Sequence, residues 1–155
     1  MQDPVSILEK IFVRFHAAQQ LRSRHNNYPT LIVKDEYDVQ DLLHALLRIE
    51  FDDIRAEEPT PSYAGGSARI DFLLKQEKIV IEVKKTRERL LAKEVGEQLI
   101  IDIGRYKAHP DCQTLICFVY DPEGLIANPH GIENDLSGDR DSLNVKVFIT
   151  PRLFG

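Results

Sequence analysis

Two short β-forming runs, Ala68–Leu74 and Ile79–Val83, flank the polar stretch Lys75-Gln76-Glu77-Lys78, and they constrain this chain more than any other feature. Folded about the middle of that stretch, paired residue numbers sum to 153. Leu74 then faces Ile79, Phe72 faces Ile81 and Ile70 faces Val83, so one side of the hairpin is apolar and must pack on a core. On the other side Leu73 faces Val80, Asp71 faces Glu82 and Arg69 faces Lys84. A slip of one residue would scramble both faces, so the pattern itself favours this register. It also places the Asp71 and Glu82 Cβ atoms about 5 Å apart, and like charges set opposite each other destabilise a sheet.

The remaining elements build a sheet around that hairpin. Asp3-Pro4 is a helix start, and Val5, Leu8, Ile11, Phe12 and Phe15 give an amphipathic helix over 4–24. The stretch His25–Thr30 breaks it. A second helix over 36–50 carries Val39, Leu42, Leu43, Leu46 and Leu47 as its stripe, with Glu36, Asp41, His44 and Arg48 off it. Ile54–Glu58 is a strand, and Pro59–Ser67 a loop with two prolines and two glycines that neither a helix nor a central strand would keep. Glu88–His109 reads as a helix with Leu91, Val95, Leu99 and Ile103 at four-residue steps. Thr114–Tyr120 is an apolar run fit for a buried strand, Asp121–Gly124 a turn, Asn128–Gly138 a loop with one helical turn, and Val145–Thr150 a last strand. The order is α, α-β-β-β-α-β, then β: an α/β chain with a mixed sheet flanked by helices.

With 155 residues there is chain enough for one core. No apolar run is long enough to cross a membrane as a helix, and the acidic start Met1-Gln2-Asp3-Pro4 does not look like a secretory signal. Cys112 and Cys117 read as reduced thiols, which suits a cytoplasmic protein. Net charge is −5, yet Arg69–Lys93 holds eight basic and four acidic residues, a balance of +4 against −9 for the rest. Such a strip can face phosphate, or it can be an ordinary solvated surface. There is no Cys/His zinc pattern, phosphate loop or dinucleotide fingerprint.

A divalent cation would remove the objection to the Asp71–Glu82 pair. Two carboxylates on rigid strands offer hard oxygen ligands and leave room for water and phosphate, as Mg²⁺ prefers, with Mn²⁺ as a substitute. Lys84 lies on the same face, two residues beyond Glu82, where an ammonium can orient a water and offset charge on phosphorus. The plain alternative is a surface hairpin with its charges satisfied by neighbours such as Arg69. His44 and His130 are weaker candidates, as proton shuttles, against structural roles. In Ser62–Ser67 the glycines would let backbone approach phosphate, and Tyr63 could stack on a base or sugar.

Asp71, ten intervening residues and Glu82-Val83-Lys84 resemble the PD-(D/E)xK nuclease superfamily, with its restriction-endonuclease-like αβββαβ core. Three further stretches, Asp35–Leu47, Thr60–Gly65 and Gly96–Asp102, resemble the DpnII/MboI-type nucleases of prokaryotic restriction and defence. Ile70 stands where the superfamily usually has Pro. The resemblance implies that Asp71 and Glu82 are metal ligands and Lys84 the catalytic lysine. It implies a helix acid completing the metal site, assigned to Asp41 with Glu36 as second choice. It also implies a supporting role for Gln98, with Glu94 one turn earlier. Lys85, Arg87, Arg89, Lys93 and Tyr63 are the candidate DNA contacts. Paired cleavage of two strands implies a dimer or a larger complex, so residues 1–30 are a candidate oligomerisation element ahead of a nuclease domain at 31–155. A nuclease of the same fold for branched DNA or RNA, and a silent binding module, are the rival readings.

Overall fold

The computed structural model describes residues 2–21, 25–59, 69–140 and 142–152. In chain order these form α1 (Pro4–Gln19), a 3-10 turn at His25–Asn27, α2 (Glu36–Glu50), β1 (Ile54–Pro59), β2 (Arg69–Leu74), β3 (Ile79–Lys85), α3 (Ala92–Tyr106), β4 (Thr114–Tyr120), α4 (Pro129–Leu136), β5 (Gly138–Arg140) and β6 (Leu143–Thr150). The strands make one mixed sheet in the order β1-β2-β3-β4-β6-β5. Pairing is antiparallel for β1–β2, β2–β3 and β5–β6, and parallel for β3–β4 and β4–β6. This is the expected α/β architecture with its αβββαβ core and an extra N-terminal helix.

Each face of the sheet buries its own helices. Leu8, Phe12 and Phe15 of α1 and Val39, Leu43 and Leu47 of α2 pack on Phe72, Leu74, Ile79, Ile81, Val83, Ile116 and Phe118. On the opposite face Val95, Leu99, Ile103 and Tyr106 of α3, with Ile132 and Leu136 of α4, cover Leu73, Val80, Leu115, Cys117, Val119, Val145, Val147 and Ile149. β4 is therefore apolar at nearly every position, because both of its faces are covered.

Several boundaries differ from the sequence reading. The first helix stops at Gln19. The third begins at Ala92, not Glu88, because Arg87 and Leu90 exchange backbone hydrogen bonds in a tight turn. The expected single helical turn after Asn128 is an eight-residue helix, started by the Asn128 side chain accepting from Gly131 N–H with Pro129 behind it. The last strand starts at Leu143 and pairs with the short β5. Leu8, Phe12 and Phe15 of α1 are packed inside the chain, with Phe12 stacked on Phe118 at 4.5 Å between ring centroids.

The hairpin register holds for Phe72↔Ile81, Leu73↔Val80 and Leu74↔Ile79, then the ladder ends. Ile70 does not face Val83; it packs with Leu73 and Val80 on the α3 side. β2 stays paired with β1, and Glu57, opposite Asp71 in that register, has φ 55°. A left-handed residue within a strand turns the local backbone, and β2 leaves β3 at this point.

Candidate active site

The site sits where the two strands part. The Asp71 carboxylate fills the gap in the ladder: Oδ2 accepts Val83 N–H at 2.7 Å and Oδ1 accepts the Gln40 side-chain amide at 3.2 Å. Glu82 and Lys84 alternate with Val83, so both project to the α3 side and both are buried. Tyr106 hydroxyl donates to Glu82 Oε1. Lys84 Nζ forms an ion pair with Asp102 Oδ2 at 3.1 Å, and Asp102 Oδ1 meets Arg105 Nη1 at 3.5 Å.

A third carboxylate arrives from α2. Asp35 accepts Asp38 N–H at 2.9 Å, while Asp38 accepts the backbone N–H groups of Lys34 and Asp35. This reciprocal cap makes Glu36 the first helical residue. Glu36 Oε2 then accepts Lys85 N–H at 3.2 Å, and Gln40, one turn on, reaches Asp71.

Burial raises the pKa of Glu36, against the Lys85 hydrogen bond and the Lys84 charge that lower it. Burial also raises Asp71, opposed by the Val83 N–H. Glu82 lies well above the ordinary carboxylate range, first through burial and then through the charges of Asp71 and Asp102. Burial works against the charge on Lys84, yet the negative groups around it raise its pKa. Of those groups, Cys117 is itself pushed well up by complete burial and Glu82 is raised as well, so the adjacent Asp102 carboxylate, 3.1 Å from Nζ, is the main partner of the ammonium. The site thus gathers more acid than one lysine neutralises, and burial raises the pKa of each of its carboxyls.

Asp71, Glu82 and Lys84 are brought together, and Glu36 stands beside them. Asp41 is exposed and its charge acts on His44, one turn on along α2, away from this cluster. Gln98 is exposed on α3, one turn before Asp102. Since Tyr106 meets Glu82 and Asp102 meets Lys84, α3 runs antiparallel to β3, and Gln98, one turn earlier, falls beyond Lys84 along the helix. Glu94 accepts Leu91 N–H and serves the helix start. Lys85 is half-buried, with Nζ on Thr86 O, while Arg87 and Arg89 are exposed along the exit from β3 and Lys93 is exposed in the first turn of α3. Tyr63 and the rest of Ser62–Ser67 lie outside the described residues. His44 is half-buried with its ring 5.3 Å from Phe72, and His130 is on α4 near Glu133, so neither enters the cluster.

Among the described residues no three His, Cys, Asp or Glu side chains form a ready-made metal-binding group. The carboxylates are turned towards protein donors: Tyr106 on Glu82, Val83 and Gln40 on Asp71, Lys85 on Glu36. Their chemistry nonetheless fits a hard divalent cation, being oxygen donors on rigid elements whose charge is uncompensated when ionised.

Asp102 and Tyr106 were not singled out from the sequence, although one signal was there. In the apolar stripe of Val95, Leu99, Ile103 and Tyr106, Asp102 occupies a buried position that an ordinary amphipathic helix gives to a hydrophobe.

An αβββαβ core whose second and third strands bring an Asp together with a Glu-x-Lys is the arrangement of the PD-(D/E)xK nuclease class. Within it, the family model of the DpnII-MboI restriction endonucleases matches residues 6–152, and the chain belongs to that family. It is thereby a nuclease of the restriction and defence type, with DNA as its substrate class. No curated protein and no solved structure matches it. Among the described residues no helix is long and apolar enough to cross a membrane.

Proposed function

We propose that the chain is a divalent-cation-dependent endonuclease that hydrolyses DNA phosphodiester bonds, with Asp71, Glu82 and Lys84 as its catalytic residues. The observation that carries this is the meeting of these three side chains where β2 separates from β3. Asp71 and Glu82, joined by Glu36 in place of Asp41, would hold Mg²⁺, or Mn²⁺ instead. Such a cation supplies Lewis acidity towards phosphate oxygen and lowers the pKa of water.

Lys84, paired with Asp102, orients the attacking water and offsets negative charge building on phosphorus. The water oxygen bonds to phosphorus as the bond to the 3′ oxygen breaks. Solvent takes the water proton and returns one to the departing oxygen, leaving a 3′ hydroxyl and a 5′ phosphate. Gln98 supports the catalytic site. Lys85, Arg87, Arg89 and Lys93, with Tyr63, contact the DNA backbone. Two such sites act together on a duplex, in a homodimer or a larger defence complex. The free thiols of Cys112 and Cys117 suit the cytoplasm.

The test is nicking of supercoiled plasmid with Mg²⁺ or Mn²⁺, beside a four-way junction and single-stranded RNA. Plasmid is expected to be cut, and Asp71→Ala and Lys84→Ala to abolish cutting. Cutting that survives both substitutions, or that needs no added metal, would overturn the assignment. Preference for the junction or RNA would reassign the substrate.

A further inference from the structure

We propose that Asp102 and Tyr106 are positioning residues of the nuclease centre, Asp102 setting the Lys84 ammonium and Tyr106 setting the Glu82 carboxylate. This rests on reading Asp71, Glu82 and Lys84 as that centre.

The geometry is that of two matched rulers. Glu82 and Lys84 are two residues apart on β3, about 6.6 Å along a strand. Asp102 and Tyr106 are four apart on α3, about 6.0 Å along a helix, and on one face of it. Because α3 runs antiparallel to β3, the earlier helix residue meets the later strand residue. Lys84 Nζ lies 3.1 Å from Asp102, and Tyr106 hydroxyl donates to Glu82. Arg105 holds the far oxygen of Asp102 at 3.5 Å, so the carboxylate is fixed from behind.

Stability does not explain the arrangement. Elsewhere the α3–sheet interface is closed by Val95, Leu99 and Ile103 against aliphatic strand residues. A buried ion pair is seldom better for stability than well-packed apolar side chains of similar volume. What the polar pairs add is direction. Each leaves its β3 partner one preferred orientation, and partners of this kind around a metal or a reacting group commonly govern affinity or rate by about 10- to 100-fold.

The two roles are separable. Tyr106 acts on a carboxylate and so on cation affinity, whereas Asp102 acts on the lysine and so on turnover. The experiment uses the full chain with Tyr106→Phe and Asp102→Asn, both close in volume to the parent. Glu97→Gln, exposed on α3, serves as control. Mn²⁺ binding is measured by calorimetry without DNA, plasmid cleavage under single-turnover conditions across Mn²⁺ concentrations, and folding by thermal melting. Tyr106→Phe is expected to weaken Mn²⁺ binding about 10-fold or more and to recover its cleavage rate at high Mn²⁺. Asp102→Asn is expected to cleave about 10-fold or more slowly at saturating Mn²⁺, with Mn²⁺ binding within about twofold of the parent. Asp102→Glu provides a second arm. It keeps the charge but moves it by one methylene, and should also slow cleavage if position is what matters.

Variants that bind and cleave like Glu97→Gln, or that lose activity only in step with the melted fraction, would overturn the positioning roles while leaving the nuclease assignment standing. A parent that neither binds Mn²⁺ nor cuts plasmid would remove that assignment, and these roles with it.

Discussion

Replacing Phe12 by Ala tests whether α1 is part of the nuclease core or an appendage. Phe12 is fully buried, stacked on Phe118 at 4.5 Å with 16° between the planes and 5.4 Å from Phe148. Its backbone carbonyl also accepts the Thr150 hydroxyl at 3.1 Å, tying α1 to the end of β6. Truncating a fully buried Phe costs about 3–5 kcal/mol, transfer and cavity together. That is a large share of the roughly 5–15 kcal/mol that holds a domain folded. In a chain of this size about 2–4 °C of melting temperature goes with each kcal/mol, so a fall of about 6–20 °C is expected. Far-UV circular dichroism melts of Phe12→Ala, with the exposed Val13→Ala as control, read it directly. A fall below about 2 °C would refute the packing argument. So would a parent melt that depends on protein concentration and loses that dependence in Phe12→Ala, since α1 would then pack between chains.

The remaining expectations concern the site. The pKa of Glu82 is raised in the folded state, so its contribution to stability is fully present below its unfolded value near 4.5 and is lost as pH rises through the folded value. Urea midpoints taken without metal should therefore decline from pH 4.5 upward, and more steeply for the parent than for Glu82→Gln; equal slopes would contradict the raised pKa. For the basic strip, Arg87→Gln, Arg89→Gln and Lys93→Gln should each lower the slope of log affinity for DNA against log salt by about one, measured by anisotropy on cleavage-dead Asp71→Ala, and an unchanged slope removes that residue from the backbone contacts. The buried Asp121 accepts Thr86 hydroxyl at 2.7 Å, Leu125 N–H at 2.8 Å and Ile126 N–H at 3.0 Å. Asp121→Ala orphans the two N–H donors at about 1–3 kcal/mol each, while the Thr86 hydroxyl can still turn to Tyr120 O at 3.4 Å, so destabilisation of about 2 kcal/mol or more is expected by urea unfolding, and less than about 1 kcal/mol would mean the turn reorganises freely.

What was legible in the sequence follows from period. A strand sends alternate side chains to opposite faces, so Val80, Glu82 and Lys84 could be set together against Ile79, Ile81 and Val83 before any coordinate was known. That logic failed at Ile70, because the Glu57 backbone turns opposite Asp71, and alternation carries no information about a bend in the neighbouring strand. It also set Asp71 directly across from Glu82, where the structure has Asp71 accepting Val83 N–H beyond the end of the ladder. Period also separates the acids of α2. Glu36, Gln40, Leu43 and Leu47 follow steps of four, three and four along α2, so Glu36 and Gln40 border the buried stripe, whereas Asp41 lies a further 100° round, on the exposed side. Asp102 is the sharper case, since it stands inside its stripe and not merely at the edge. An acid in such a place must desolvate against the sheet, which is costly without a cationic or donor partner there. The same requirement that makes the residue hard to accommodate points to a charged strand residue opposite it, and β3 offers Lys84. Polarity alone treats Asp41 and Asp102 as equals; only the direction each takes from its helix separates a solvated acid from one that reaches the centre of the fold.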